Sequence, residues 1–231
     1  MHFILSIFNV IVEAIFPLSS EEKELFAMNE ETAFETLPKA PPVPIHAYAV
    51  FAYKNELASK LIWNIKYKKS KQAVKIASYA LFMKIHEILN EKIIGDNQKI
   101  ILLSIPISKR RRRERGFNQC ELLIEEIKNL QNNTKNKQNN FKLEFNSNLL
   151  VRDKHVSRQT LKHRQERLED AKDIFGINIA ELEIIKKQNQ FENIIFFIID
   201  DVITTGSTIL DAEKVLRNSG AQNIILLSVA H

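Results

Sequence analysis

Residues 194–216 read IIFFIIDDVITTGSTILDAEKVL, and the order of residue types in that stretch describes a binding site for a sugar phosphate. An apolar run ends in two acids, Asp200 and Asp201, and a short turn follows: Thr204, Thr205, Gly206, Ser207 and Thr208. Helical spacing of apolar residues begins immediately after. A helix N-terminus carries unpaired N–H groups and partial positive charge, which suit a phosphate. Gly206 lets the backbone approach the anion, and the four hydroxyls add donors. Two carboxylates repel a phosphate. They suit vicinal ribose hydroxyls, which donate to them, and they can hold Mg2+ through water.

A second cluster lies upstream. Residues 109–115, KRRRRER, hold six bases and one acid, and so account for a charge of +5. The whole chain of 231 residues also sums to +5, with 33 Lys+Arg against 28 Asp+Glu, so the remaining residues balance. The basic character is local, which points to a local anionic partner. The cluster follows an apolar run (residues 99–105) and Pro106, and reads as a cationic loop at the end of a buried strand. Residues 152–167 form a second cationic stretch, and residues 60–84 carry seven lysines and no acid, read as a solvated helix face.

Runs at 99–105, 193–199 and 223–230 are continuously apolar, as strands buried on both faces are. Residues 48–53 read as a further strand, with shorter ones at 149–152 and 174–177. Helices are expected at 56–66, 72–91, 116–131 and 208–218, the last capped by Gly220. Strand–helix alternation predicts an α/β fold, with a mostly parallel central sheet flanked by helices and its ligand at the C-terminal edge of the strands. Residues 17–44, acidic and then proline-rich, read as a connector with little regular structure. Residues 1–16 are largely apolar, lack a basic start and are interrupted by Glu13. They are expected to form an apolar helix on the body or at an oligomer interface, not a signal peptide or a stable membrane insertion. An apolar share of 45% excludes wholesale disorder. One cysteine, Cys120, fits a reducing, cytoplasmic compartment and reads as a packing residue. The expected organisation is 1–44 N-terminal helix and connector, 45–95 hood and lysine-rich helices, and 96–231 core.

The strand–DD–x3–TGST–helix pattern resembles the phosphoribosyl-pyrophosphate (PRPP) signature of type I phosphoribosyltransferases. That resemblance implies their fold, with a small hood and an N-terminal helical segment. It also implies that Asp200 and Asp201 hold the ribose hydroxyls and that Thr204, Thr205, Gly206, Ser207 and Thr208 hold the 5-phosphate. The loop Ile107, Ser108, Lys109 and Arg110 would hold pyrophosphate. RERGFNQCELL (residues 113–123) narrows the match, because it resembles the RGFNQ hallmark of the ComF family, linked to DNA uptake in competent bacteria. Ile65-Lys66-Tyr67 is similar to that family's LKY segment. Residues 158–175 resemble its flexible loop, here with Lys162, His163, Arg164 and Arg167, and with Asp170 where the family has asparagine. The family's four-cysteine zinc knuckle follows an N-terminal "FP". Phe16-Pro17 is present and no cysteine follows it, so no zinc is expected.

Three functions share these residues. The first is Mg2+-assisted phosphoribosyl transfer from PRPP, with Asp200, Asp201 and Arg110 as the catalytic set and Asp200 and Asp201 as the metal site. The second is handling of single-stranded DNA, with Arg111, Arg112, Arg113, Arg115, Lys66 and Tyr67 as contacts and a competence helicase-like protein as partner. The third is PRPP sensing without turnover.

Overall fold

The computed structural model describes residues 17–92, 98–133, 141–152, 174–188 and 191–231. Its centre is a five-stranded, all-parallel sheet in the order β1-β7-β6-β2-β3. The strands are β1 (Ala47–Phe51), β2 (Ile100–Ser104), β3 (Leu143–Phe145), β6 (Ile195–Val202) and β7 (Asn223–Ala230). β4 (Leu150–Val151) and β5 (Gly176–Ile177) form a separate antiparallel pair. The three apolar runs of the sequence are thus the three central strands, and every residue of β2 is buried. A parallel strand covered on both faces has no polar side to show, and the sequence carries that mark directly.

Helices cover both faces. On one lie α3 (Glu56–Trp63), α4 (Lys71–Glu91) and α6 (Gln119–Asn133), packed with Ile195, Phe197 and Ile199 of β6. On the other, α7 (Ile179–Gln188) and α8 (Ser207–Asn218) pack with Phe196 and Ile198. The alternation along β6 therefore feeds two cores, and each fully buried aromatic or aliphatic side chain contributes about 1.5–3 kcal/mol. The expected α/β architecture with a parallel sheet flanked by helices is what the chain adopts, and it is consistent with the type I phosphoribosyltransferase fold.

Two expectations need correction. Residues 17–44 are not an irregular connector: α1 (Ser20–Ala27) and α2 (Glu30–Thr36) occupy much of them. α1 starts with a capping box, in which the Glu22 backbone N–H donates to Ser19 Oγ at 3.2 Å and the Ser19 N–H donates to the Glu22 carboxylate at 2.9 Å. Asn29 caps α2, and Leu25, Ala33 and Leu37 are buried in the core. The basic heptad is also no loop. It forms a seven-residue helix, α5 (Lys109–Arg115), capped by Ser108 at its start and by left-handed Gly116 at its end. The helix predicted from residue 116 starts at Gln119 instead. Residues 45–95 supply β1 to the sheet edge, paired with β7. Among the described residues no helix is long and apolar enough to cross a membrane. The apolar helix expected at residues 1–16 lies outside the described residues.

Candidate functional site

The C-terminal end of β6 carries Asp200 and Asp201 as its last full-length acids before the chain turns into α8. Gly206 adopts φ +80° and precedes the first helical residue, Ser207. A Cβ at Gly206 would lie 2.5 Å from Ile45 Cδ1, and an L side chain resists that φ regardless of space. Gly206, at the N-cap, has no side chain to cap the first turn of α8, and the Ser207 N–H donates to Thr205 Oγ1 at a long 3.4 Å. The early N–H groups of a helix have no intrahelical acceptor, so this end presents donors toward a small cleft. Asp200, Val202, Ile203 and residues 204–209 line that cleft, which measures about 30 Å³. Thr204, Thr205 and Ser207 are exposed there, and Thr205 Oγ1 donates to Ser207 Oγ at 3.3 Å.

Behind the cleft lies a buried cluster. Asp200 Oδ1 accepts from the Asp201 N–H at 2.8 Å, and the Cys120 thiol donates to the same oxygen at 3.8 Å. Lys66 Nζ lies 3.0 Å from Asp201 Oδ1. Asp201 Oδ2 is buried with no hydrogen-bond partner. Burial, and then the charge of Asp201, push the Asp200 carboxyl up to about 7; the Asp201 N–H, Lys66 and Cys120 oppose the shift. Burial and the two carboxylates hold the Cys120 thiol well above its usual range.

Local structure places each member. α3 continues into a single π-helical turn, Asn64–Lys68, ending at left-handed Lys69. Asn64, fully buried, fixes that turn by donating to Glu22 Oε1 at 2.7 Å and to the Lys60 carbonyl at 2.9 Å. A π-turn inserts an extra residue, which swings Lys66 toward the acids. On the other side Asn118 donates to the Ile105 carbonyl at 3.0 Å and accepts from the Cys120 N–H at 3.0 Å. The segment RGFNQC thereby ties the start of α6 to the end of β2 and sets the sulfur against Asp200. Arg115 completes the clasp, with its guanidinium 5.2 Å from the Tyr67 ring centre and Nη1 donating to Gln119 Oε1 at 3.1 Å.

The structure brings Asp200, Asp201 and residues 204–208 together, and adds Lys66 and Cys120 to them. Lys66 was grouped with nucleic-acid contacts from sequence, but its ammonium faces Asp201. Ile107 and Ser108 lie between Pro106 and α5, where Ser108 Oγ accepts from the Arg111 N–H. Arg110 leaves its side chain 83% exposed and pairs with Glu114 at 2.7 Å, which raises its pKa. Arg112 pairs with Glu121, and Arg113 Nε donates to the Lys109 carbonyl. Arg152 feels the charge of Asp200. Burial and then Arg111 lower its pKa while Asp200 raises it, and its Nη1 donates to the Pro106 carbonyl at 3.3 Å. Lys162, His163, Arg164 and Arg167 lie outside the described residues. The partners that sequence reasoning missed, Asn118 and the Lys66–Asp201 pair, signalled themselves only as an amide in RGFNQ and one lysine of a lysine-rich stretch.

No family model matches the chain. Over 129 residues it is 26% identical to Competence protein F of Haemophilus influenzae, covering 56% of this chain and 49% of that protein. The chain spans about half the length of this curated relative, and the homology is distant.

Proposed function

We propose that this chain is a ComF-like protein that binds PRPP and serves natural competence and DNA uptake. One observation carries the reading: a buried acidic pair at the end of a central parallel strand, followed within a few residues by a helix N-terminus whose N-cap is a left-handed glycine with no capping side chain. Asp200 and Asp201 accept from the two ribose hydroxyls, and the first turn of α8 with Thr204, Thr205, Gly206, Ser207 and Thr208 takes the 5-phosphate. Arg152, Arg111 and the Ile107–Lys109 backbone flank the pyrophosphate side. The distant homology to Competence protein F supports the competence-related role. Asp201 Oδ2, buried and unpartnered, fits a cation, so Asp200 and Asp201 would hold Mg2+. Bound with PRPP, Mg2+ supplies charge neutralisation for departing pyrophosphate, the step that would make the protein a phosphoribosyltransferase.

Calorimetry with PRPP and Mg2+ tests this. Each hydrogen bond to a charged acceptor is worth about 1.5–3 kcal/mol, so Asp200→Asn and Asp201→Asn should each weaken binding by roughly 10- to 150-fold. Equal affinity in wild type and both variants would sink the ribose assignment. Pyrophosphate release across a panel of acceptor bases then separates a transferase from a PRPP sensor.

A second reading, binding of single-stranded nucleic acid on the same fold, is favoured by one surface. Tyr67 is 46% exposed beneath Arg115, with the Trp63 ring 5.4 Å from it and Arg111 and Arg113 exposed nearby in sequence on α5. Exposed aromatics beside arginines stack bases and follow phosphates. Anisotropy with labelled single-stranded DNA should show log affinity falling against log salt with a slope of about −2 to −3, as three or four phosphate contacts require. Absence of binding at low salt removes this reading.

A further inference from the structure

We infer that Cys120, Asp200 and Asp201 form a binding site for a thiophilic divalent cation of the Zn2+ or Co2+ type. Sequence alone points away from zinc, because one cysteine cannot build a four-cysteine knuckle. The fold supplies the other ligands. One donor atom from each of the three residues lies within 4.8 Å of the other two, with Cys120 Sγ 3.8 Å from Asp200 Oδ1. Tetrahedral zinc with ordinary Zn–S and Zn–O bonds needs sulfur and oxygen about 3.5 Å apart, so the group must contract only modestly. Three protein ligands leave a fourth position for water, the arrangement of an open rather than a closed zinc site.

One observation and one charge argument point to a cation of this kind. The first is Asp201 Oδ2, an oxygen on a side chain only 7% exposed, which accepts no hydrogen bond while its twin Oδ1 is held by Lys66. A buried carboxylate oxygen without a partner is costly, and a metal bond would satisfy it. The second is charge. A thiolate and two carboxylates bring three negative charges, and Lys66 with a divalent ion brings three positive ones, so the buried cluster closes to neutrality. Without the phosphates of PRPP, Mg2+, which takes oxygen ligands and would leave the thiol protonated, gives a buried excess of one positive charge. Coordination breaks the Cys120 S–H bond, forms a sulfur–metal bond from the sulfur lone pair and releases the proton to solvent, with no change of oxidation state. Asn118 holds the Cys120 backbone in place, so the ligand is pre-positioned. The site does not depend on PRPP binding. It would let a trace metal occupy the carboxylates that the sugar phosphate is proposed to use.

The test uses the full chain, a phosphine reductant and Co2+ as the probe. Cys120 is the chain's one cysteine, so a near-ultraviolet sulfur-to-cobalt charge-transfer band reports this site alone. The expected result is a saturable band in wild type, lost in Cys120→Ser, at least about tenfold weaker in Asp201→Asn, displaced by Zn2+ and unaffected by equal Mg2+. No band in the wild type, or displacement by Mg2+ as readily as by Zn2+, overturns the inference without touching the PRPP reading. Because the wild-type titration alone can overturn it, a poorly folding Cys120→Ser protein would not shelter it.

Discussion

Asp200→Asn should raise the thermal stability of the ligand-free protein at mildly alkaline pH. The carboxyl is pushed up to about 7 from an ordinary value near 4, first by burial and then by the charge of Asp201. The sign follows from proton counting. Below about pH 4 both native and unfolded chains hold the proton, and the residue has no pH-dependent effect. Between about 4 and 7 the native state keeps a proton that the unfolded chain has lost, so stability falls as pH rises. Above about 7 the penalty is complete, and three pH units correspond to on the order of 4 kcal/mol. Asparagine keeps the Oδ1 that accepts from the Asp201 N–H and never ionises. For a chain of this size each kcal/mol moves the melting temperature by about 2–4 °C, so the variant should melt roughly 8–16 °C higher than wild type at about pH 8. The gap should close at about pH 4. A variant that melts lower than wild type at pH 8 would show that the Asp200 charge is compensated and not strained. Because the same substitution is expected to weaken PRPP binding, its loss of function could not be blamed on unfolding.

Lys66→Met should have the opposite effect. Lys66 is the cation 3.0 Å from Asp201, on side chains 20% and 7% exposed. Removing one partner of a buried pair leaves an uncompensated charge and costs about 3–5 kcal/mol. Methionine keeps the apolar stem, so the loss reports charge more than packing. With the lysine gone, Asp200 loses a charge that lowers its pKa and holds its proton more tightly in the native state, so the deficit should grow as pH rises. Urea unfolding of Lys66→Met, Asp201→Asn and the double variant forms a cycle that isolates the pair. The double variant should recover most of the lost stability. If it is no better than Lys66→Met alone, the lysine acts through packing of the π-turn and not through Asp201.

These two results concern residues whose importance was legible to different degrees. Asp200 and the turn at 204–208 announce themselves because the chemistry is local: one strand end, one turn and one helix start, contiguous in the chain. The central strands were equally plain, since β2, β6 and β7 are apolar without interruption. The pairing of Lys66 with Asp201 was hidden because the two are remote in sequence, and a lysine among other lysines looks like a solvated face. The π-turn that redirects it has no sequence signature. The basic heptad reads as a loop because like charges one turn apart disfavour a helix. Ser108 and Gly116 cap both ends, and the Arg110–Glu114 pair offsets part of that repulsion. α1 and α2 were hidden by an acidic, proline-flanked composition, although the Ser19–Glu22 capping box was there to be read. The edge strand β3 spans only Leu143–Phe145, and α7 has a weakly one-sided apolar pattern, so neither carried a period long enough to detect.

The strand order has a consequence for how the chain comes to be folded in the cell. β1, made well before β7, has β7 as its one neighbour in the sheet of the described residues, with Ala47 opposite Leu226 and Phe51 opposite Ala230. β7 is also the strand that joins β1 to β6. Until the ribosome has delivered residues 223–230, β1 has its short antiparallel bridge to residues 38–40 but no partner within the sheet, and one side of β6 stays open. Such distant pairings fold slowly and leave unpaired strand edges in the interim. The nascent polypeptide would therefore emerge with its first sheet strand unsatisfied on the β7 side until residues 223–230 follow, and the acidic pair of β6 would be locked into place only then.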